Sequence, residues 1–511
     1  MYEIGQMLYL LLSISVDPIV SQSDSLRLPD IFTDSLIFQR DMPIPVWGKS
    51  CKHCKIKVRI NEITLCANSD QHGNWNIKLP PMHAGGPYIM YISDKKDHLS
   101  IHNILVGEVW LCSGQSNMEF SLSQSNHGDE EIQVSANPNI RFYQMTATRD
   151  ARPIAHKVYS DSLIDEFRKN HFYSKSKWQS CNQQTASGFS AVAYYFGKEL
   201  YRHLNVPIGL ICNAVGGTTT QSFIDSLTLA SHPQLSQLLF NREDDDLVHP
   251  WVRERINENL GDKVKDNLLL HPFAPSFLFN NGIKPIVPYS IKGAIWYQGE
   301  SNATNPEIHD ALFTALVKSW RNAWQLGDFP MYTVQLPKIS NRSRWPEFRE
   351  SQRRLSESIL HSGMAVTIDT GDSIDVHPKE KKIIGSRLSL LALAKTYQQP
   401  EEYSGPVYTK YKRLGNEIEL YFDHANYLMT NSDDNHFKGF YLHGFSQAGN
   451  HEIILEAKNI KNQGAKLIIP IPADLLLTSL RYAWSPYPDC NLINESGLPA
   501  SPFKIEFKGN F

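Results

Sequence analysis

Between about residues 106 and 400 short apolar runs alternate with longer stretches of helical spacing, and this alternation limits the possible folds more than any other feature. Val109-Trp110-Leu111-Cys112 is one apolar run; Ile208 to Cys212, Gly293 to Tyr297, Met331 to Gln335 and Ala365 to Ile368 are others. Helical spacing covers Phe189 to Leu204, Ile308 to Trp324, Phe348 to Leu360 and Pro378 to Tyr397. A strand that is apolar throughout is buried on both faces, and a helix between two strands brings the chain back in the same direction. The pattern therefore predicts an α/β unit with a parallel sheet covered by helices on both faces. Two segments, from about His127 to Lys177 and from Asn241 to Asn267, interrupt the alternation and read as insertions.

The flanks are different in character. From Leu26 to Leu105, short β-like runs such as Ile56 to Ile60 and Tyr88 to Ile92 are separated by Gly, Pro, Asn and Asp, the signature of a small all-β module. Beyond Glu401 β runs return at Glu417 to Phe422, Glu452 to Ala457 and Ala465 to Ile471, which predicts a C-terminal β-sandwich. At 511 residues the chain has room for roughly three domains of about 150 residues. The expected division is a leader over 1–25, a β module over 26–105, a catalytic domain over 106–400 and a β-sandwich over 401–511.

The balance of 50 basic against 53 acidic residues gives no electrostatic reason to expect nucleic acid or an anionic membrane as partner. No run of about 18 uncharged apolar residues is present, so no membrane span is expected. Met7 to Val20 matches a signal peptide only in part, lacking a basic start and carrying Asp17 near its end. With glycosylation triplets at Asn302, Asn341 and Asn494, it makes a secreted, periplasmic or lysosomal location the expectation over a cytoplasmic one. Cys51 and Cys54 form a single C-x-x-C with no second pair at zinc spacing, which reads as a loop disulfide or two free thiols.

In an open α/β sheet, reactive groups collect on loops at the carboxyl ends of the strands. Four polar motifs fall at such ends. In Ser113-Gly114-Gln115-Ser116-Asn117-Met118 the glycine permits a tight turn that exposes the Ser116 hydroxyl, although Met118 stands where a G-x-S-x-G elbow has its last glycine. In Asn213-Ala214-Val215-Gly216-Gly217-Thr218 the paired glycines let backbone N–H groups approach a developing oxyanion. In Trp296-Tyr297-Gln298-Gly299-Glu300-Ser301-Asn302 the amide of Gln298 or Asn302 could complete that site, while Trp296 suits either the sheet core or sugar stacking. In Asp369-Thr370-Gly371-Asp372-Ser373-Ile374-Asp375-Val376-His377-Pro378 the imidazole, held before a helix with Pro378 in its first turn, can act as general base with a nearby carboxylate fixing its tautomer. Singly, each motif is more often an ordinary turn; their value lies in the order serine, glycine, amide, acid, histidine at successive strand ends.

Taken together these motifs resemble the SGNH hydrolase superfamily, and within it the sialate O-acetylesterase family. Leu28-Pro29-Asp30-Ile31-Phe32, Gln39 to Gly48, Arg481-Tyr482-Ala483-Trp484 and Leu498 to Phe503 extend the likeness over nearly the whole chain. The resemblance implies an SGNH-hydrolase-like three-layer α/β/α domain flanked by β-sandwich-like modules. It implies Ser116 as nucleophile, His377 as base, and an oxyanion hole drawn from the Ser116 N–H, Gly216, Gly217, Gln298 and Asn302. The common superfamily pattern has its acid three residues before the histidine, where Ile374 stands here, so Asp375 is the expected orienting acid with Asp372 in reserve.

The activity this implies is removal of O-acetyl groups from sialic acid, with an O-acetylated sugar as partner and neither metal nor organic cofactor. An acetylesterase acting on plant polysaccharides such as xylan is the alternative, and a carbohydrate-binding protein that has lost activity is a third reading. Sequence leaves the oligomeric state open.

Overall fold

The structure is a computed structural model and describes residues 25–153, 157–239, 247–432, 436–446 and 451–507. The expected leader thus lies outside the described residues except for Ser25. The central sheet contains strands β1 (His98–Gly114), β2 (Asn137–Gln144), β3 (Trp178–Cys181), β4 (Ile208–Ala214), β5 (Gly293–Tyr297), β6 (Met331–Val334) and β7 (Ser362–Ala365). Their order across the sheet is β7-β6-β5-β1-β4-β2-β3. Six run parallel, but β3 pairs antiparallel with β2, so the sheet is mixed rather than purely parallel.

Alternate residues of each strand face opposite sides. Val109 and Leu111 of β1, Ile211 of β4 and Ala294 and Trp296 of β5 enter one apolar core together with Leu312, Leu316 and Trp320 of the helix His309–Trp324. Trp110 and Cys112, Leu210 and Cys212, and Ile295 and Tyr297 enter a second core on the opposite face. There they meet the helices Ala191–Leu204 and Lys381–Leu391. Trp110 is wholly buried, edge-on to Phe196 at 5.2 Å, and its indole N–H donates to the Tyr397 hydroxyl at 3.0 Å. A buried aromatic of this size removes about 150–250 Å² from water, worth roughly 4–6 kcal/mol at about 25 cal/mol per Å². Trp296 is 2% exposed and edge-on to Phe223 and Trp320, so it belongs to the core and is not a sugar platform.

The 17-residue strand β1 carries two patterns. Its first half pairs antiparallel with Gly85–Ser93 of the N-terminal β region, and its second half is the axis of the central sheet. The expected division after residue 105 therefore falls inside one continuous strand. At the other end of the chain, two four-stranded antiparallel sheets share a core built from Ile418, Leu420, Leu467, Leu442, Leu480 and Phe503. Arg349, fully buried on the helix Trp345–Ser358, joins this region to the central sheet. Its guanidinium donates to the carbonyls of Leu336, Pro337, Ser485 and Pro486 at 2.6–2.9 Å.

The first expected insertion is one only in part, since its Asn137–Gln144 is strand β2 of the central sheet; its later part packs on the second, where the Tyr159 N–H donates to the Asn259 carbonyl at 2.7 Å, and Tyr159, Phe167, Ile256 and Phe277 join the first core. Cys51 and Cys54 form a disulfide. Of the glycosylation triplets, Asn302 and Asn494 are buried and only Asn341 is exposed. Among the described residues no helix is long and apolar enough to cross a membrane.

Candidate active site

Register brings three strand ends level. Gly114 of β1 lies opposite both Ala214 of β4 and Tyr297 of β5, so the loops that follow open into one crevice. Gly114 has φ +140°, and a Cβ there would lie 2.1 Å from the Tyr297 carbonyl oxygen, so only glycine fits. The Gln115 N–H donates to that carbonyl at 3.0 Å, and Ser116 then opens the short helix Ser116–Glu119. At a helix start the first N–H groups have no intrahelical acceptor, and Ser116 holds that position here.

The serine and histidine motifs, 261 positions apart, meet. The Ser116 hydroxyl lies 2.9 Å from Nε2 of His377. Nδ1 of the same ring lies 3.0 Å from Oδ1 of Asp375, which also accepts the His377 backbone N–H at 2.9 Å. With Nδ1–H donated to the carboxylate, Nε2 is left as the acceptor that a base requires. Asp372 does not reach the ring; its carboxylate accepts the N–H groups of Ile374 and Asp375, which hold its pKa below the usual value and shape the turn. Asp375 and Ile374 are exposed, so this part of the loop is wet.

Pro378 is not in the first turn of a helix, contrary to expectation. The helix starts at Lys381, because Glu380 holds a non-helical ψ of 61° and the Lys381 N–H turns back to the Lys379 carbonyl at 2.8 Å.

Gly216 packs against the serine: a Cβ placed on it would lie 3.5 Å from Cβ of Ser116 and 3.1 Å from Oε2 of Glu119. The Gly216 N–H donates to that carboxylate at 2.7 Å. Although Glu119 as a residue is exposed, its carboxyl end is crowded, and the loss of water there raises its pKa despite the Gly216 bond and the nearby charge of Arg152. Gly217 has φ +79° and packs against Phe273 and Trp251.

Gln298 and Asn302 are present but occupied. Both N–H bonds of Gln298 are used, on Asn302 Oδ1 at 2.7 Å and the Thr218 carbonyl at 3.3 Å, while the Asn302 amide donates to Gln221 at 3.1 Å. Both are buried, and they brace the glycine loop from behind instead of presenting donors to the crevice. Ser301 adds a bond from its hydroxyl to the Gly217 carbonyl at 2.9 Å. Sequence put Gln298 and Asn302 forward as oxyanion donors because an amide has the same appearance there whether it faces a ligand or another loop.

Ser116 and His377 open onto a cleft of about 450 Å³ whose walls include Glu119, Phe120, Gln144 and Arg152. Arg152 was not apparent as a site residue, since it sits in one of the insertions. The arrangement contains a hydroxyl paired with an imidazole, an acid on the far ring nitrogen, and backbone donors beside the hydroxyl, the parts required for acyl transfer through a covalent intermediate.

Residues 278–391 match the family described as carbohydrate esterase, sialic acid-specific acetylesterase. The chain is 27% identical to the sialate O-acetylesterase of Mus musculus, across 84% of this chain and 83% of that protein. It is 25% identical to the sialate O-acetylesterase of Homo sapiens, across 93% and 92%. Among solved structures it is similar to a carbohydrate acetylesterase from Xanthomonas citri, with 28% identity, a TM-score of 0.76 and coverage of 94% of this chain and 99% of that one.

Proposed function

We propose that this protein is a carboxylic ester hydrolase that removes O-acetyl groups from sialic acid, with Ser116 as its nucleophile. The observation that carries this reading is the 2.9 Å contact between the Ser116 hydroxyl and Nε2 of His377 beside the Gly216 N–H. The family match and the sialate O-acetylesterase relatives supply the substrate class.

The chemistry runs in two steps. Ser116 Oγ attacks the acetyl carbonyl as its proton passes to Nε2 of His377; the C–O bond to the sugar breaks and the same proton goes to the departing sugar oxygen. Water then attacks the acetyl-serine, giving a proton to His377, and the serine leaves as the proton returns to it, with acetate as product. In each tetrahedral intermediate the oxyanion is met by the N–H groups of Ser116 and Gly216. The Gly216 N–H is held by Glu119 Oε2 at 2.7 Å, so this carboxyl must turn aside before the substrate oxyanion can take that donor. Gly217, Gln298 and Asn302 keep the donor loop in shape. Asp375 orients the imidazole. Arg152 in the cleft is the cation that favours a carboxylate-bearing sugar over neutral xylan.

The same reading assigns an SGNH-hydrolase-like catalytic unit from the inner half of β1 to about residue 400, an N-terminal β module that shares the outer half of that strand, and a β-sandwich over 401–511. The test is acetate release from 9-O-acetylated sialic acid and from acetylated xylan, side by side, for the parent and Ser116→Ala. Sialate turnover that falls by several orders of magnitude in the variant is the expected result. Full activity in Ser116→Ala removes the nucleophile assignment, and preference for xylan removes the substrate assignment.

A further inference from the structure

Beneath the His377 loop lies a polar network that the mechanism above does not use. Asn117, the residue after the nucleophile, donates from Nδ2 to the carbonyl of Val376, the residue before the base, at 2.8 Å. The same Nδ2 donates to Oε1 of Glu300, and its Oδ1 accepts from Nζ of Lys381 at 2.5 Å. Lys381 has no exposed surface and Asn117 none either. Besides this amide, the ammonium group lies over the rings of Phe120 at 4.7 Å and Tyr297 at 5.4 Å and feels the charges of Glu300 and Asp375, and the Phe120 ring in turn stacks on His377 at 6.3 Å. The second carboxyl oxygen of Glu300 is buried and has no hydrogen-bond partner.

Such groups are costly to bury: desolvation lowers the pKa of Lys381 to about 7 and raises that of Glu300. What they provide is direction. While Lys381 carries its proton, below about pH 7, its ammonium group can only donate and the Glu300 carboxylate can only accept, so the charged pair permits one orientation of the Asn117 amide, with oxygen toward Lys381 and nitrogen toward Glu300 and Val376. A flipped amide would set oxygen against two acceptors and N–H against an ammonium. The rest of the His377 loop has weak support, since Asp372, Ser373, Ile374 and Asp375 are all exposed.

We propose that Lys381 and Glu300 are positioning residues that act through the Asn117 amide to hold Val376, and with it His377, over the Ser116 hydroxyl. The proposal rests on the serine–histidine reading. One amide thereby ties the two halves of the reacting pair together across 259 residues, from the buried side, where water does not compete for the bond.

The test compares parent, Asn117→Ala, Lys381→Met and the double variant on p-nitrophenyl acetate, with melting temperatures recorded and Ser116→Ala as baseline. A displaced base lowers kcat roughly tenfold to a hundredfold while leaving KM within about twofold. Because both substitutions break the same tether, the double variant loses no more than the worse single one. Equal kcat in parent and a folded Asn117→Ala overturns the proposal, as do losses carried by KM or losses that multiply in the double variant. Should Lys381→Met not fold, Asn117→Ala alone decides by the same kcat and KM criteria. A parent with no activity above Ser116→Ala instead marks failure of the serine–histidine reading.

Discussion

Asp375→Ala should weaken this enzyme far less than loss of the acid does in a site whose acid is buried. In the serine protease triad, replacing the buried aspartate by asparagine lowers kcat about 10⁴-fold. Here the carboxylate is 54% exposed and forms one 3.0 Å contact with the ring, through an oxygen it shares with the His377 backbone N–H. A hydrogen bond to a charged group is worth about 1.5–3 kcal/mol, and at about 1.36 kcal/mol per tenfold this sets a ceiling of roughly 150-fold. Exposure lowers the figure, because water can take over the Nδ1–H and exposed ion pairs contribute only about 0.2–1 kcal/mol. The Asn117 bond to Val376 remains in the variant. We therefore expect kcat on p-nitrophenyl acetate to fall roughly fivefold to fiftyfold, between the exposed-pair figure and the ceiling, with fluorophosphonate labelling of Ser116 slowed in proportion. A fall to the Ser116→Ala baseline would refute the reasoning, since the acid would then be doing what a buried one does. So would a change under twofold, which would mean that Asp375 does not orient the ring.

Two further outcomes concern stability. His271 is fully buried, accepts the Phe273 N–H on Nδ1 and faces Asn259 through Nε2, and burial pushes its pKa down to about 3. The unfolded chain takes up a proton below about 6.5 while the folded one does not, so stability is lost as pH falls from 6.5 toward 3; between pH 7 and 5 this amounts to about 2 kcal/mol. His271→Asn should lose less stability over that interval by about this amount in urea denaturation, and equal losses in parent and variant would reject the assignment. Arg349→Met should take a donor from four carbonyls and leave those of Leu336 and Ser485 with none, at about 1 kcal/mol each, since Pro337 keeps the Trp345 indole N–H and Pro486 the Ile339 N–H. The expected result is a lower melting temperature and faster proteolytic release of the C-terminal β region, and an unchanged proteolysis pattern would show that Arg349 does not join the two parts.

The course of the central sheet could be read from the sequence because strands buried on both faces must be apolar throughout. Gly293–Tyr297 matches expectation to the residue. Where a strand is only half apolar the signal weakens. Expectation put the last strand at Ala365 to Ile368, but Ser362–Ala365 forms it, pairing with Met331–Val334 even though it opens with serine and glycine. Trp178–Cys181 was missed for a similar reason: four residues with two polar side chains, antiparallel at an edge, look like any loop. Strand β1 escaped as a unit because its outer half alternates and its inner half does not, two periods that sequence reading assigns to separate elements.

For the site, sequence could supply residue type and order, and structure adds who faces whom. Ser116 and His377 stood out because, each ordinary alone, they fall in the order serine, glycine, amide, acid, histidine at successive strand ends. Lys381 did not, because a lysine at the start of a helix ordinarily reads as solvated. Its burial follows only once the helix start, the Asn117 amide and the Phe120 and Tyr297 rings are seen to converge from three separate parts of the chain. The same holds for Glu119, which sits three residues after the nucleophile yet meets the Gly216 N–H from across the crevice. Charges placed at the catalytic loops in this way are the least visible part of the site in one dimension. They are also where a single conservative substitution has most leverage, since a neutral side chain of the same size removes the charge that fixes an amide or a donor and changes little else.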